Sequence, residues 1–323
     1  MGVTVNAAVV VSGDRPPRYL PFELPPVSDG QVVVSMEAAA LSPRARSGAA
    51  GLHYSSEPGQ TPTVAGIDGV GTLADGRRVY ALALDGPMGT MAEACVVAAD
   101  QCIPVPDGAD AVSIAAAMIP GLSAWAALAV RVPRPLAARV LVLGATGVAG
   151  NLAVQIARLF GAEQVVAAGR DPQRLAALSD LGADSLVSLA GEPDEVAQRL
   201  RREAGDVDVV LDYLWGSVTE QAMAAILTTG RAADQPLHWV EIGSMAGPSI
   251  YVPSAALRSR DLRLVGSGQG SVPGQVLLGL LPDLMAALTE ARLAVDAAPV
   301  ALRQVESAWD APHPDGRRTV FVV

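Results

Sequence analysis

The segment from Val140 to Gly150 reads VLVLGATGVAG, an apolar run that ends in glycines. The run predicts a buried strand that ends at Gly144, and the residues from Asn151 onward have the apolar spacing of an amphipathic helix. Glycines between a strand and a helix allow a tight turn and a close approach of phosphate groups, while the helix supplies free amides and a positive dipole end. The segment therefore predicts a dinucleotide pyrophosphate site. A strand-to-helix turn without a ligand has the same pattern.

The next predicted strand indicates which dinucleotide is bound. An acid about 20 residues beyond the glycines would bind the ribose 2′-hydroxyl of NAD, but Gly169 holds that place here. Arg170 follows, and Arg174 lies one helical turn further, a pair suited to a 2′-phosphate through charge-assisted hydrogen bonds. The pattern favours NADPH over NADH. Asp171 could instead bind the ribose, or cap a helix that starts at Pro172.

The residues around this segment alternate between strand and helix patterns. From about Pro120 the chain reads RVLVLG, NLAVQIARLFG, EQVVAAG, PQRLAALSDLG, DVDVVLDYL, TEQAMAAIL and HWVEIGS. This alternation predicts a parallel sheet covered on both faces. The first third instead reads as β-rich, with short apolar segments between Pro, Gly and Asp turns. A helix is predicted from about Val276 to Ala291, before a final strand, RRTVFVV.

Composition excludes several functions. The chain has 33 acidic and 23 basic residues, and its net charge of −10 would repel a nucleic acid backbone. It contains no lysine, so mechanisms that need a lysine amine are excluded. Its apolar runs are interrupted by Gly, Pro and charges before the roughly 20 residues of a membrane span, and no basic segment precedes the first apolar run. We expect a soluble, cytoplasmic protein without membrane or nucleic acid partners.

The chain resembles the zinc-independent quinone oxidoreductase (zeta-crystallin-like) branch of the medium-chain dehydrogenase/reductase superfamily. The resemblance follows family order and spacing along nearly the whole chain. Its landmarks are GIDGVG (66–71), DGRRVYA, GTMAE (89–93), VVAADQCIPVPDG, PGLSAWAAL (120–128), VLVLGATGVAG, GRDPQRLAALSDLGAD, VDVVLDYLWG, ALRSRDLRLVGS and GRRTVFV.

The resemblance implies an α/β protein with two domains. Residues 1–118 and 268–323 would form a GroES-like β-rich substrate domain, and residues 119–267 a Rossmann domain with a doubly wound parallel sheet. Relatives of this branch commonly form dimers by joining the edges of two Rossmann sheets, so the resemblance implies a homodimer. It also implies the residues that bind the cofactor: Ser123 beside the phosphates or the nicotinamide ribose, Thr146, Gly147 and Val148 at the pyrophosphate, and Tyr213, Gly243 and Ser244 along the rest of the crevice.

The chain departs from its zinc-dependent relatives where they bind the metal. Those relatives have Gly-His-Glu where this chain has Gly66-Ile67-Asp68, and no cysteine precedes Cys95. The cysteine-rich lobe of those relatives is also missing. We therefore expect no catalytic zinc. Cys95 and Cys102 are expected to be small strand hydrophobes.

Without zinc, hydrogen-bond donors must stabilise negative charge on the substrate oxygen. This favours activated acceptors such as quinones and α,β-unsaturated carbonyls. Tyr54 in GLHYSS is the nearest candidate donor, and Ser42 in LSPRARSG could also contact substrate. Packing explains Tyr54 equally well, and helix capping explains Ser42. Arg44 and His53 stand beside these two residues, and His53 could shuttle protons or be solvated.

Two other functions are compatible with parts of the pattern. A short-chain reductase shares the glycine motif, but the motif lies in mid-chain and that family's tyrosine and lysine pair cannot occur in a chain without lysine. A protein of the same fold could also bind NADPH with a non-redox or sensing role, because the catalytic segment departs from the family while the cofactor motif is intact.

Overall fold

The computed structural model describes residues 2–54, 62–84, 86–133, 138–228, 235–311 and 316–323. The chain divides into two compact units, Met1–Ile119 with Leu281–Val323, and Pro120–Leu280. The predicted domain limits lie at 118/119 and 267/268. Both observed limits fall inside helices, α2 (Ala111–Ala126) and α8 (Gly274–Thr289). The assignment of substrate and cofactor roles to the two domains stays a prediction.

The first unit is built mainly from antiparallel strands. They form two sheets. The smaller sheet has the strand order β2-β1-β4, and the larger has the order β15-β16-β3-β5-β6-β8, with β7 also paired to β3. The strands are β1 (Thr4–Val10), β2 (Arg18–Glu23), β3 (Gln31–Ala40), β4 (Thr63–Val64), β5 (Asp68–Leu73), β6 (Arg78–Leu82), β7 (Ala94–Ala98), β8 (Cys102–Pro104), β15 (Ala297–Ala301) and β16 (Arg318–Val322). Two short helices, α1 (Pro43–Ala49) and α9 (Val305–Ala308), belong to this unit. The helix-capping interpretation of Ser42 implied the first of them, and the sequence did not predict the second.

Alternation places the apolar side chains of these strands inside. Val5, Ala7 and Val9 on β1 share one core cluster with Val34 and Met36 on β3, because alternate residues of a strand face the same side. The last strand, β16, pairs with β3, with Val320 opposite Ala40 and Phe321 opposite Ala39. The C-terminal residues therefore complete the sheet that begins with the N-terminal third.

The second unit is a parallel sheet with helices between its strands. Its order is β11-β10-β9-β12-β13-β14, and every strand pair is parallel. The elements are β9 (Arg139–Leu143), α3 (Val148–Leu159), β10 (Gln164–Gly169), α4 (Pro172–Ala177), β11 (Ser185–Ser188), α5 (Pro193–Ala204), β12 (Val209–Asp212), α6 (Gly216–Leu227), β13 (Leu237–Glu241), α7 (Ser254–Ser259) and β14 (Leu262–Gly266). This is the order of a Rossmann fold, and it confirms the predicted fold class.

The crossover in this order locates the ligand edge of the sheet. The chain moves outward from β9 through β10 to β11, and then returns to pair β12 with the other side of β9. Loops that follow adjacent strands diverge at such a point and leave a crevice beyond the carboxyl ends of the strands. The glycine turn after β9 and the segment after β12 both lie at this edge.

Helix α2 corrects one sequence expectation. Pro120 lies inside the helix, which continues as a π-helical turn over Ala127–Arg131. The helical stretch Ala111–Arg131 is therefore long and apolar enough to cross a membrane, although Pro and Gly were expected to interrupt it. Most of this stretch is buried inside the protein, as in the core helix of a water-soluble domain. The helix continues through Pro120 because packing outweighs the loss of one backbone hydrogen bond.

Candidate functional site

The turn between β9 and α3 is formed by three closely packed glycines. Gly144 has φ +88°, a conformation that strongly favours glycine. A Cβ on Gly150 would overlap the carbonyl oxygen of Gly144, so the helix can start this near the strand only without a side chain. Gly147 is the N-cap of α3 and makes no side-chain cap bond. The first-turn amides of α3, from Val148 onward, are thus left to bind an anion.

The end of β10 packs against this turn. A Cβ on Gly169 would overlap the side chain of Thr146, so glycine is needed where the two loops meet. Arg170 follows on the surface and makes no hydrogen bond or ion pair with the residues that the structure describes. The arrangement places a guanidinium one residue beyond the strand, where the sequence predicted recognition of a 2′-phosphate.

Asp171 and Arg174 interact with each other. The Asp171 carboxylate accepts a hydrogen bond from the Arg174 amide at 3.0 Å and so caps α4, as one of the two readings of Asp171 anticipated. The Arg174 Nε atom lies 3.6 Å from the same carboxylate. Of the two arginines, Arg170 is therefore the one without a competing partner in the described part of the chain.

The carboxylate of Asp212 organises the end of β12. It is fully buried and accepts four hydrogen bonds, two at each oxygen. Oδ1 accepts from the amides of Leu214 and Trp215 at 2.9 and 3.0 Å, and Oδ2 accepts from the hydroxyl of Thr219 at 2.6 Å and the indole N–H of Trp239 at 2.9 Å. These bonds hold the loop after β12 to both α6 and β13.

The loop held by Asp212 has an unusual backbone. Trp215 has φ 55° and ψ −163°, a rare conformation for a residue with a side chain. The next residue, Gly216, has φ 61°, and a Cβ there would lie 2.6 Å from the carbonyl oxygen of Ala246. The sequence reading missed this arrangement. A buried-strand acid followed within four residues by glycine was its only local signal.

Tyr213 and Ser123 meet at the same edge. Ser123 donates its hydroxyl to the carbonyl oxygen of Pro120 at 2.6 Å, and its Oγ lies 3.2 Å from the Tyr213 hydroxyl oxygen. Because the serine proton is directed at Pro120, the tyrosine donates to the serine. Burial raises the pKa of Tyr213 above its ordinary value, so the phenol is protonated at neutral pH.

Gly243 and Ser244 follow the neighbouring strand β13. The Gly243 amide donates to the Asp212 carbonyl at 3.1 Å, and Ser244 is exposed. The structure therefore gathers the predicted cofactor residues of this unit at the carboxyl ends of β9, β10, β12 and β13. Their roles in binding stay predictions.

This edge fits a dinucleotide. The glycine turn leaves a space that a Cβ would fill, and the 12-residue helix α3 begins there with first-turn amides that no side chain caps, which suits a pyrophosphate. The exposed arginine after the second strand suits the adenosine end. The crevice where the strand order reverses, between β9 and β12, would accommodate the nicotinamide half of the dinucleotide.

In the first unit, Ser42 begins α1. It is buried, and its hydroxyl accepts a hydrogen bond from the Ala45 amide at 3.0 Å, so it caps the helix. The capping reading of Ser42 is thus realised in the structure. A catalytic role for this hydroxyl stays a prediction.

Arg44, His53 and Tyr54 lie close together, although nine positions separate the first from the second. The rings of His53 and Tyr54 have centroids 4.1 Å apart, and Arg44 interacts electrostatically with both residues. Burial, followed by the Arg44 charge, lowers the pKa of His53 to about 4, so the imidazole is neutral near pH 7. Tyr54 is 73% exposed. A proton donated at this place would come more readily from the phenol than from the imidazole.

Several other aromatic and titratable residues have structural surroundings. Trp125 is buried and packs edge-to-face on Phe160 at 4.9 Å. His238 is buried within β13, where burial lowers its pKa. Cys95 is fully buried, and burial raises the pKa of its thiol to about 12. His313 lies outside the described residues.

Asp68 stands where zinc-dependent relatives have the acid of Gly-His-Glu. It is 1% exposed, and burial raises its pKa to about 7 against the opposing effects of Tyr80 and Arg318. A positively charged neighbour and Ile67 in the histidine position do not fit a zinc site. Within the ranges described, no group of three or more His, Cys, Asp or Glu side chains could hold a metal ion. Zinc independence stays a prediction, which this donor set supports.

Comparisons with known proteins agree with this geometry. A family model described as zinc-binding dehydrogenase matches residues 149–277. A probable NADPH-dependent quinone reductase from Emericella nidulans is 28% identical over 98% of this chain and 100% of its own. The chain is thus similar over nearly its whole length to a protein named as a quinone reductase.

Solved structures of quinone oxidoreductases have the same fold. The quinone oxidoreductase from Thermus thermophilus, which was also solved with NADPH, is 25% identical, covers 98% of this chain and 100% of its own, and has a TM-score of 0.81. A quinone oxidoreductase from Pseudomonas syringae covers all of both chains with a TM-score of 0.82, and its 21% identity supports the fold alone. These matches bear out the resemblance found in the sequence, and NADPH, the predicted cofactor, is named for two of these relatives.

We expect Asp212→Asn to lower the free energy of unfolding by roughly 1 to 3 kcal/mol, because each orientation of the amide turns its NH2 group toward a buried donor. Urea unfolding followed by tryptophan fluorescence measures the change. Asp261→Asn is the control, since its partner Arg263 is half exposed and the pair should contribute less than about 1 kcal/mol. Equal losses in both variants would contradict the role of Asp212.

Proposed function

We propose that the protein is an NADPH-dependent, zinc-independent oxidoreductase that transfers hydride to a quinone or an α,β-unsaturated carbonyl. The observation that carries the proposal is the pairing of the glycine turn after β9 with Arg170 after β10, where Gly169 holds the place of the acid and Asp171 caps α4. The full-length relative named as an NADPH-dependent quinone reductase supports the same reaction.

NADPH would be held by backbone and side chains of the second unit. The amides of Gly147 and Val148, with the hydroxyl of Thr146, would contact the pyrophosphate, and Arg170 would pair with the 2′-phosphate. Arg174 would add charge beside Gly169. Along the rest of the crevice, Ser123, Tyr213, Gly243 and Ser244 would line the nicotinamide half. When bound, NADPH supplies the hydride.

The substrate would be a small molecule with an activated acceptor group. Without a Lewis acid, hydrogen bonds must stabilise the oxygen that becomes negative, and quinones and enones need less of this assistance than simple ketones. Tyr54 is the proposed donor, because its phenol is exposed beside a neutral imidazole and a guanidinium that would favour negative charge on the oxygen. Ser42 is a second proposed contact.

The protein is also proposed to be a cytoplasmic homodimer. Strand β14 is an edge of the six-stranded sheet, and its apolar residues Leu262, Leu264 and Val265 are only partly buried, so a second copy could extend the sheet. The net charge of −10 supports the absence of nucleic acid partners. Analytical ultracentrifugation tests the dimer, and a mass of one chain would contradict it.

The reaction is tested by following NADPH absorbance with a panel of quinones and α,β-unsaturated carbonyls. We expect oxidation with at least one class and none with saturated ketones. Tight NADPH binding without oxidation by any member would contradict the reductase and support a protein that binds NADPH in a non-redox or sensing role.

Arg170→Ala should weaken NADPH binding by roughly 1 to 3 kcal/mol, because a charged hydrogen bond to the 2′-phosphate is lost. Fluorescence titration with NADPH and NADH measures the effect, and NADH affinity should not change. Arg174→Ala is the matched control and should have a smaller effect, since its guanidinium is shared with Asp171. Equal losses for both nucleotides would remove Arg170 from the phosphate site.

Tyr54→Phe should lower kcat by roughly 10- to 100-fold, if the phenol supplies the proton, and leave NADPH affinity unchanged. Tyr19→Phe is the control, because its hydroxyl lies 3.3 Å from Glu93 and outside the candidate site. Steady-state kinetics with the best acceptor of the panel measures both. Unchanged turnover in Tyr54→Phe would leave the tyrosine a surface residue.

A further inference from the structure

Two opposite charges are buried in the first unit away from the candidate contacts. Asp68, at the start of β5, is 1% exposed, and Arg318, at the start of β16, is 8% exposed. Each affects the other's ionisation, so their charges interact. Buried charges are costly unless they are compensated, which makes such a pair worth explaining.

The hydrogen bonds of the pair are incomplete. The Tyr80 hydroxyl donates to Asp68 Oδ2 at 3.0 Å, and the Thr90 hydroxyl donates to the Asp68 carbonyl at 2.7 Å. Asp68 Oδ1 and Arg318 Nε have no hydrogen-bond partner among the described residues. The carboxyl group of Asp68 favours the charged form of Arg318, while the charge of Arg46 opposes it.

Arg318 also binds the backbone that leads to Ser42. Its Nη1 donates to the carbonyl oxygen of Leu41 at 3.1 Å, in a buried contact. The Leu41 amide donates to the Thr319 carbonyl at 2.9 Å, so both backbone groups of Leu41 are bonded to β16. The next residue caps α1, the helix that carries Arg44.

We propose that Arg318 is a positioning residue that fixes the Leu41 carbonyl and thereby the start of α1 for substrate binding. The proposal rests on the proposed function only in giving α1 and Arg44 a role toward the substrate. Arg318 reaches the segment of the candidate contacts through the backbone of Leu41.

The chain contains a matched arginine for comparison. Arg78, on β6 of the same sheet, also donates to a backbone carbonyl, that of Ala109 at 2.9 Å, and pairs with an acid, Glu37, at 2.9 Å. Neither of these bonds reaches residues 41–46. Arg318→Met and Arg78→Met therefore remove the same guanidinium group from two similar sites. Only Arg318 donates to the backbone that leads to α1, so Arg78→Met is the control.

Hydrogen–deuterium exchange of the unliganded protein tests the positioning without any substrate. Amides of residues 44–50 should exchange at least about tenfold faster in Arg318→Met than in the wild type, and at the wild-type rate in Arg78→Met. Equal exchange in the wild type and Arg318→Met would overturn the proposal. This measurement does not depend on turnover. It therefore tests the positioning by Arg318 even if the wild type reduces no acceptor and the proposed function is wrong.

Kinetics then separates positioning from stability. With an accepted quinone, kcat/KM should fall roughly tenfold or more in Arg318→Met, with NADPH affinity unchanged, and Arg318→Lys should recover part of it because the ammonium can still donate to Leu41. The double variant Asp68→Asn/Arg318→Met has no buried charge at either position, so it should unfold at a higher urea concentration than Arg318→Met. Its kcat/KM should nevertheless stay low, because the donor to Leu41 is still missing. Recovery of kcat/KM together with stability would overturn the proposal.

Discussion

The structure of the second unit depends on the close approach of Gly150 to the carbonyl of Gly144. Because neither residue has a side chain, α3 begins directly at the end of β9, and its first amides point to the edge of the sheet. Thr146 occupies the space that a side chain on Gly169 would fill, which joins the turn to the end of β10. The same close packing therefore places the anion site and Arg170 at one edge.

Two buried aspartates organise the loops that follow the strands of the two units. Asp212 satisfies all its hydrogen bonds and holds the loop containing Trp215 in a rare backbone conformation. Among the described residues, Asp68 is left with one unpaired oxygen, and Arg318 acts on it through its charge. Complete hydrogen bonding gives rigidity, whereas an incompletely bonded charge pair makes its neighbours sensitive to substitution. Asp212 is therefore a structural residue of the second unit, and Arg318 is the residue proposed to hold the backbone before α1.

The family relationship adds a reaction to this geometry but leaves the acceptor to be found by experiment. The Emericella nidulans relative and the Thermus thermophilus structure match almost the whole chain, and the segments around Ser42 and Tyr54 carry the proposed substrate contacts. Arg44 and a neutral His53 give the exposed phenol an environment that favours a developing oxyanion. The chemistry proposed for the protein thus joins an inherited cofactor site to contacts that are particular to this chain.

The sequence by itself determined the Rossmann sheet, the glycine turn and the preference for Arg170 over an acid, because these are encoded in short segments whose neighbours in sequence are neighbours in space. It also identified Asp171 as a possible helix cap, which is a local property. It did not predict the continuation of α2 through Pro120, since burial of the whole helix outweighs the local effect of proline. Nor could it pair Asp68 with Arg318, which lie 250 residues apart in sequence, or place Arg44 beside His53. Only the tertiary structure decided those contacts, because strand pairing brings together charges whose separation along the chain gives no local signal.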